Sequence, residues 1–340
     1  MTAFGNGGNE APLALTMGEP AGVGAELTLK SWMARAELAR PFVAIDSRDR
    51  LAAEASRQEW SVPIEAVAHP AEAEQVFARA LPVIDTALAQ PSVPGELDPQ
   101  NAGAAIRSIE TAVELVRDGT ACGVVTNPIH KHNLYDAGFR HPGHTEFLAE
   151  LAGTGVEPVM MLACEGLRTV PITTHVSLRD ALDNLTTDLI VSQGQITAGA
   201  LRTDFGIDVP RIAVAGLNPH AGEDGAMGDE EDRLIRPAVE RLRALGIVAS
   251  GPYPPDTLFS AALRTGYDAA ICMYHDQALI PIKTLDFTGG VNVTLGLPFV
   301  RTSPDHGTAL DIAGRGIADE TSMLQALRMA ASIASRRAQA

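Results

Sequence analysis

Short apolar runs of strand length alternate along the chain with longer segments whose apolar positions recur every three or four residues. The runs fall at 12–18, 41–46, 80–85, 121–126, 157–163, 167–176, 210–217, 267–274 and 290–297. Helical period marks 99–118, 144–153, 187–205, 229–245, 256–265 and 318–337. In the first of these, Ile106, Ile109, Val113 and Val116 recur at helical steps; Asp98 and Pro99 supply a start signal and Gly119 a stop. Alternation of this kind predicts an α/β protein on mainly parallel sheets. The rhythm breaks at 127–145, a turn-rich stretch carrying four histidines, and a return crossing falls near 290–305. A chain of 340 residues has room for two domains. The expected division is a discontinuous first domain, 1–140 plus 295–340, around a second, 141–294, that carries the candidate metal ligands.

Charge narrows the partners. Lys plus Arg number 26 against 42 Asp plus Glu, a formal charge of −16, and such a surface argues against nucleic acid, which needs a basic face. No apolar stretch approaches the ~20 residues of a membrane span. The opening MTAFGNGGNEAP lacks the order of a secretory signal and reads as a floppy leader. Cys122, Cys164 and Cys272 sit in or beside apolar runs without metal or disulfide spacing, the pattern of reduced buried thiols in a cytoplasmic protein. Lysine occurs only at 30, 131 and 283, so a lysine beside candidate chemistry is informative.

Ligands of open α/β sheets lie beyond the carboxyl ends of the strands, so polar residues that follow strand-like runs are the first candidates. His175, His220 and His275 all occupy that position, 45 and 55 residues apart. If their strands are neighbours, three imidazoles converge, a donor set that suits a catalytic divalent cation with one position open to substrate. Spacing alone equally allows three unrelated histidines, each satisfied by nearby backbone. Lys283, Asn292 and Arg301 could hold a small anion, or Lys283 could snorkel from a surface strand and Arg301 pair with an exposed acid. His144 and Thr145 open a helical segment whose free N–H groups suit an anion, although Thr145 could equally be its cap. Asp256 in PPDTLF could likewise be no more than a helix cap. The glycines of GEPAGVG, 18–24, do not match the dinucleotide fingerprint, and no P-loop spacing occurs.

Seven segments go further: LALTMGEPAGVGAELTLK (13–30), VVTNPIHKHNLYDAGFRHPGHTEFLAELAG (124–153), ITTHVSLRDAL (172–182), VAGLNPHAGEDGAMGDEE (214–231), PPDTLF (254–259), CMYHDQALIPIKTLDF (272–287) and GVNVTLGLPFVRTSPDHGTALDIAG (290–314). Together, over residues 12–330, they resemble the 4-hydroxythreonine-4-phosphate dehydrogenase family of pyridoxal phosphate biosynthesis. The resemblance implies a two-domain, isopropylmalate-dehydrogenase-like α/β architecture with the active-site cleft between domains. It also implies a homodimer with its active sites at the subunit interface, metal ligands being shared between chains. The expected cofactors are NAD or NADP and one divalent metal per site, Zn, Co, Mn or Mg. His175, His220 and His275 correspond to the metal ligands, and His144, Thr145, Lys283, Asn292 and Arg301 to the substrate ligands. Asp276, Asp256 and Lys283 are, by motif, the candidates for the base. SPDHGTALDIAGRGIAD, 303–319, is similar to the nucleotide loop of isopropylmalate and isocitrate dehydrogenases, which makes His306, Gly307, Thr308 and Asp311 candidate cofactor contacts.

The chemistry so implied is oxidation of 4-(phosphooxy)-L-threonine at C3, followed by decarboxylation to 3-amino-2-oxopropyl phosphate. One departure stands out: the family's GPVHK reads Asn127-Pro128-Ile129-His130-Lys131 here. Relatives of the family act on threonate or erythronate phosphates or an aromatic dihydrodiol acid, so another hydroxy-acid substrate is the first rival. A metal-dependent hydrolase or a phosphate-binding module without NAD is the second.

Overall fold

The computed structural model describes residues 11–136, 139–141, 143–153 and 155–339; the leader through residue 10, with its GNGGN run, lies outside them. In chain order the strands are β1 (Leu13–Thr16), β2 (Phe42–Asp46), β3 (Ile64–Ala66), β4 (Leu81–Asp85), β5 (Gly123–Thr126), β6 (Val159–Cys164), β7 (Leu167–Pro171), β8 (Arg211–Ala215), β9 (Val248–Tyr253), β10 (Ala269–Cys272), β11 (Val291–Leu295) and β12 (Arg301–Pro304). Helices separate most of them, as the alternating pattern predicts. Two units result, Met1–Pro158 with Leu297–Ala340, and Val159–Gly296. The sequence pattern drew the first boundary at 140/141. It falls later because Phe147 and Leu148 of helix His144–Ala152 pack with Ile109, Val113 and Phe299 in the first unit's core.

The first unit orders its strands β3-β4-β2-β1-β5-β12, and every pair is parallel. β1, β2 and β5 are buried along their whole length, which is why they read as unbroken apolar runs rather than alternating ones. The helix Ala102–Arg117 covers β1 and β2 and reaches them through one polar atom. Ser108 Oγ accepts the Met17 N–H at 2.9 Å and donates to the Ile45 carbonyl at 2.6 Å. Just past β2, the buried Asp46 and Arg50 pair at 2.7 Å while Arg50 Nε donates to the Pro20 carbonyl at 2.9 Å, tying down the turn that follows β1. The start signal at Asp98 caps a 3₁₀ turn, Pro99–Asn101, ahead of the helix proper.

The second unit orders its strands β11-β6-β7-β10-β8-β9; β11-β6 and β6-β7 are antiparallel and the other pairs parallel. Helix His275–Leu285 turns Ala278 and Ile282 onto Leu162, Leu167 and Cys272. Lys283 therefore sits on a helix and not on a surface strand; Pro281 inside that helix masks its period in the sequence. β3, β9 and β12 escape the apolar pattern, being short, glycine- and proline-bearing, or polar. The segment 256–265 breaks into Pro255–Leu258 and Ala261–Arg264, and 229–245 opens with a π-turn, Glu231–Ile235, before Arg236–Ala244. Among the described residues no helix is long and apolar enough to cross a membrane.

Candidate functional site

The three histidines lie at the carboxyl ends of β7, β8 and β10, and β10 pairs in parallel with both of the others. His175 follows β7 by a turn, its strand ending at Pro171 rather than at the histidine; His220 follows β8; His275 opens the helix after β10. His175 and His220 both take left-handed backbone, φ +54° and +53°, a conformation that side chains other than glycine adopt at a cost. The His175 and His275 rings stand 5.5 Å apart between centroids. Metal–nitrogen bonds of ~2.1 Å put each ring centre about 3.2 Å from a shared ion. That separation therefore corresponds to an angle of roughly 120° at one cation. His275 Nδ1 lies 2.8 Å from Asp276 Oδ1, so Nε2 is the ring nitrogen left to face a cation, the arrangement usual around metal-ligating histidines. His220 is exposed and does not join them: among the described residues no group of three His, Cys, Asp or Glu is close enough to hold a metal ion within one chain.

The first unit gathers a different set. His144 is the first residue of its helix, after Gly143, so Thr145 is not the cap. A Cβ on Gly143 would lie 2.7 Å from Glu146 Oε2 and 3.3 Å from Lys131 Nζ, so any other residue there would push aside the ends of those two side chains. His144 is buried and held well below the usual histidine range, first by that burial and then by the nearby Arg301 and Lys131 cations. Its Nε2 is buried with no hydrogen-bond partner among the described residues. Arg301 begins β12, is buried, and donates to the Thr126 hydroxyl at 2.8 Å; burial pulls its guanidinium down to about 10. Two cations beside a neutral imidazole make this a place for an anion. Lys131 was legible only through the scarcity of lysine, and Thr126 through its place at the end of β5.

In the second unit Asn292 lies within β11 opposite Leu162, its Oδ1 buried and without a hydrogen-bond partner among the described residues. Lys283 Nζ lies 5.3 Å from the centre of the Phe287 ring. Asp256 is exposed, one residue inside a short helix rather than capping it. The departure at Asn127 has a structural meaning. That side chain is fully buried and donates to the Thr16 carbonyl at 2.9 Å and to Thr28 Oγ1 at 3.1 Å, bracing the turn after β1.

That turn meets the candidate nucleotide loop. The Val23 N–H donates to the Thr308 carbonyl at 3.0 Å, and a Cβ on Gly22 would lie 2.9 Å from the same oxygen. Glycine at 22 is what lets the two segments touch. Gly307 has open space around it, while His306 Nε2 is buried with no hydrogen-bond partner among the described residues. Gly22 also lines a cavity of about 410 Å³, together with Ser47, Arg50, Arg57 and Ser92. Asp49, Glu54 and Asp85 line the same cavity beside alanines and prolines, so it is the close glycine approach at the loop, and not the cavity, that fits a nucleotide.

Known proteins resemble this chain over nearly its whole length. A family profile described as pyridoxal phosphate biosynthetic protein PdxA matches residues 37–330. A curated 4-hydroxythreonine-4-phosphate dehydrogenase from Caulobacter vibrioides is 54% identical over 96% of this chain and 98% of its own. The crystal structure of the Klebsiella pneumoniae protein of that name superposes with a TM-score of 0.84 at 41% identity, covering 95% of this chain and 99% of that one. A terephthalate 1,2-cis-dihydrodiol dehydrogenase from Burkholderia xenovorans is more distant, with a TM-score of 0.63 at 26% identity over 95% of this chain and 98% of that one.

Proposed function

The chain belongs to the family of pyridoxal phosphate biosynthetic protein PdxA, and from that premise we propose that it oxidises 4-(phosphooxy)-L-threonine at its C3 hydroxyl. The product, 2-amino-3-oxo-4-(phosphooxy)butanoate, then loses CO2 to give 3-amino-2-oxopropyl phosphate. The observation that carries this reading is the placement of His175, His275 and His220 at the ends of three adjacent parallel strands, two of the rings already at metal-sharing separation. His175, His220 and His275 would hold one divalent cation, with ligands shared between the subunits of a homodimer. Nitrogen donors favour Zn, Co or Mn over Mg. His306, Gly307, Thr308 and Asp311 would hold NAD or NADP. When bound, the cation acidifies the substrate hydroxyl and the nicotinamide accepts hydride from C3.

The remaining work falls to side chains. Arg301, Lys131 and neutral His144 bind an anionic end of the substrate in the first unit. Lys283 and Asn292 would provide a cation and an amide in the second, and Thr145 a hydroxyl at the helix start. Each set would hold the group that it binds in a fixed orientation. Of the three base candidates, Asp276 is engaged with His275 Nδ1 and acts as its orienter. Asp256 is left to take the hydroxyl proton, and Lys283 would do so only in place of its cationic role, after giving up its own proton.

The test is turnover, followed by NADH or NADPH absorbance, with 4-(phosphooxy)-L-threonine against threonate and erythronate 4-phosphates. Faster turnover of the amino acid supports the proposal. Preference for either sugar acid hands the site to the rival dehydrogenase, and a protein that reduces neither nucleotide with any of the three is no dehydrogenase of this class. At 26% identity the dihydrodiol dehydrogenase gives no specific support to an aromatic substrate.

A further inference from the structure

His220 sits in a segment that no ordinary turn would hold. His220, Ala221, Gly222, Glu223 and Asp224 run consecutively at φ of +53°, +52°, +81°, +43° and +53°, so four residues with side chains occupy the left-handed region in succession. Chains do not rest there unless their surroundings hold them. Backbone hydrogen bonds brace the segment from within, the Ala221 N–H to the Asn218 carbonyl at 3.0 Å and the Met227 N–H to the Gly222 carbonyl at 3.1 Å, and one carboxylate braces the residues that lead into it. Glu231, only 2% exposed, accepts the Leu217 and Asn218 N–H groups on Oε1, both at 2.7 Å, and Asn218 Nδ2 on Oε2 at 2.9 Å. The glycines of the segment let it come that close. A Cβ at Gly216 would lie 3.1 Å from Glu231 Oε1, and one at Gly222 2.8 Å from Oε2. Asn218 Nδ2 also donates to Glu230 Oε2 at 2.8 Å, and a Cβ at Gly228 would lie 2.5 Å from that nitrogen. Glu231 itself stands at the head of a π-turn, an irregularity common near functional sites.

We propose that Glu231 is a positioning residue for His220: its carboxylate closes the segment 216–231 on itself and fixes where the imidazole is presented to the cation. The assignment rests on the reading of His220 as a metal ligand. Glu231 touches neither metal nor substrate, and acts through the backbone that it holds.

Calorimetric titration of Co²⁺ into the full-length, metal-free protein tests it, with Glu231→Gln, Asn218→Ala and His220→Ala beside the wild type. Glu231→Gln keeps the size of the side chain and loses one acceptor oxygen; Asn218→Ala deletes the third contact, and the one to Glu230 with it, while leaving the Glu231 carboxylate and its two backbone donors in place, and carries the test if the glutamine variant does not fold. Both are expected to bind Co²⁺ at least about tenfold more weakly, the usual scale for residues that orient a metal ligand. Turnover in Asn218→Ala should recover at saturating metal. Unchanged affinity with a lowered melting temperature would make Glu231 a stability residue only and overturn the proposal. If His220→Ala binds Co²⁺ as tightly as the wild type, or the wild type binds none, the reading of His220 itself fails. Loss in His220→Ala with wild-type affinity in the other two defeats the Glu231 assignment alone.

Discussion

The two units prepare their ligand groups in opposite ways. In the first, His144 and Arg301 are buried, set on the start of a helix and the start of a strand, with backbone of ordinary geometry and the Thr126 hydroxyl within hydrogen-bond reach. In the second, His175 and His220 are exposed on turns whose backbone is left-handed. A buried cation pays its desolvation when the protein folds and stands ready for an anion that arrives already charged. An exposed histidine keeps its hydration until a cation replaces it, and the strain of its backbone is the cost of holding the ring in place. On the proposed reading, the difference teaches that one unit would supply a finished anion pocket and the other a set of donors.

Substitutions can break that contrast. The largest effect is expected from Arg301→Met: turnover should fall by about a hundredfold to a thousandfold, the loss typical of one preorganised donor, while calorimetric Co²⁺ affinity stays at the wild-type value. Parallel loss of metal would mean that the two sets are not separate. Next comes His175→Gly, which should weaken Co²⁺ binding at least tenfold yet raise the stability of the metal-free protein by about 1 kcal/mol in denaturant unfolding, because glycine relieves the left-handed backbone. A destabilised variant would show that the side chain's interactions and the entropy glycine adds to the unfolded chain outweigh the strain at φ +54°. The smallest effect concerns pH. His144 is held neutral in the folded chain while the unfolded chain takes up its proton near the ordinary value of 6.5, so stability is present above that pH and declines as pH falls below it. Replacing His144 with Asn should flatten that part of the stability profile.

Much of this arrangement is legible in the sequence. Fully buried parallel strands leave continuous apolar runs, which is how β1, β2 and β5 announce themselves, and the position of His220 and His275 just past such runs points to the sheet's ligand-bearing end. The relation between the strands is not legible. Nothing in the spacing says that β10 lies between β7 and β8, and that order is what places the three histidines on adjacent strands. Lys283 was misplaced because Pro281 interrupts a helix that β-like apolar residues already disguise. Glu231 was invisible because its neighbours Asp229, Glu230 and Asp232 make it look like one more acid of a solvated face. Burial is what distinguishes it, and burial depends on the glycines at 216 and 222 leaving space for a carboxylate.

The self-closing segment around His220 also bears on how such proteins can be recombined. A graft that carries only Asn218–Glu223 into another scaffold would deliver the imidazole without its clasp, and a graft lacking Gly228 would drive the Asn218 amide out of place. Residues 216–231 belong together in any chimera, along with the partners of Gly216, whose N–H donates to the Tyr253 carbonyl and whose carbonyl accepts from Gln277 Nε2, both at 2.8 Å; the junctions belong in the flanking strand β8 and in the helix that follows, not inside the loop.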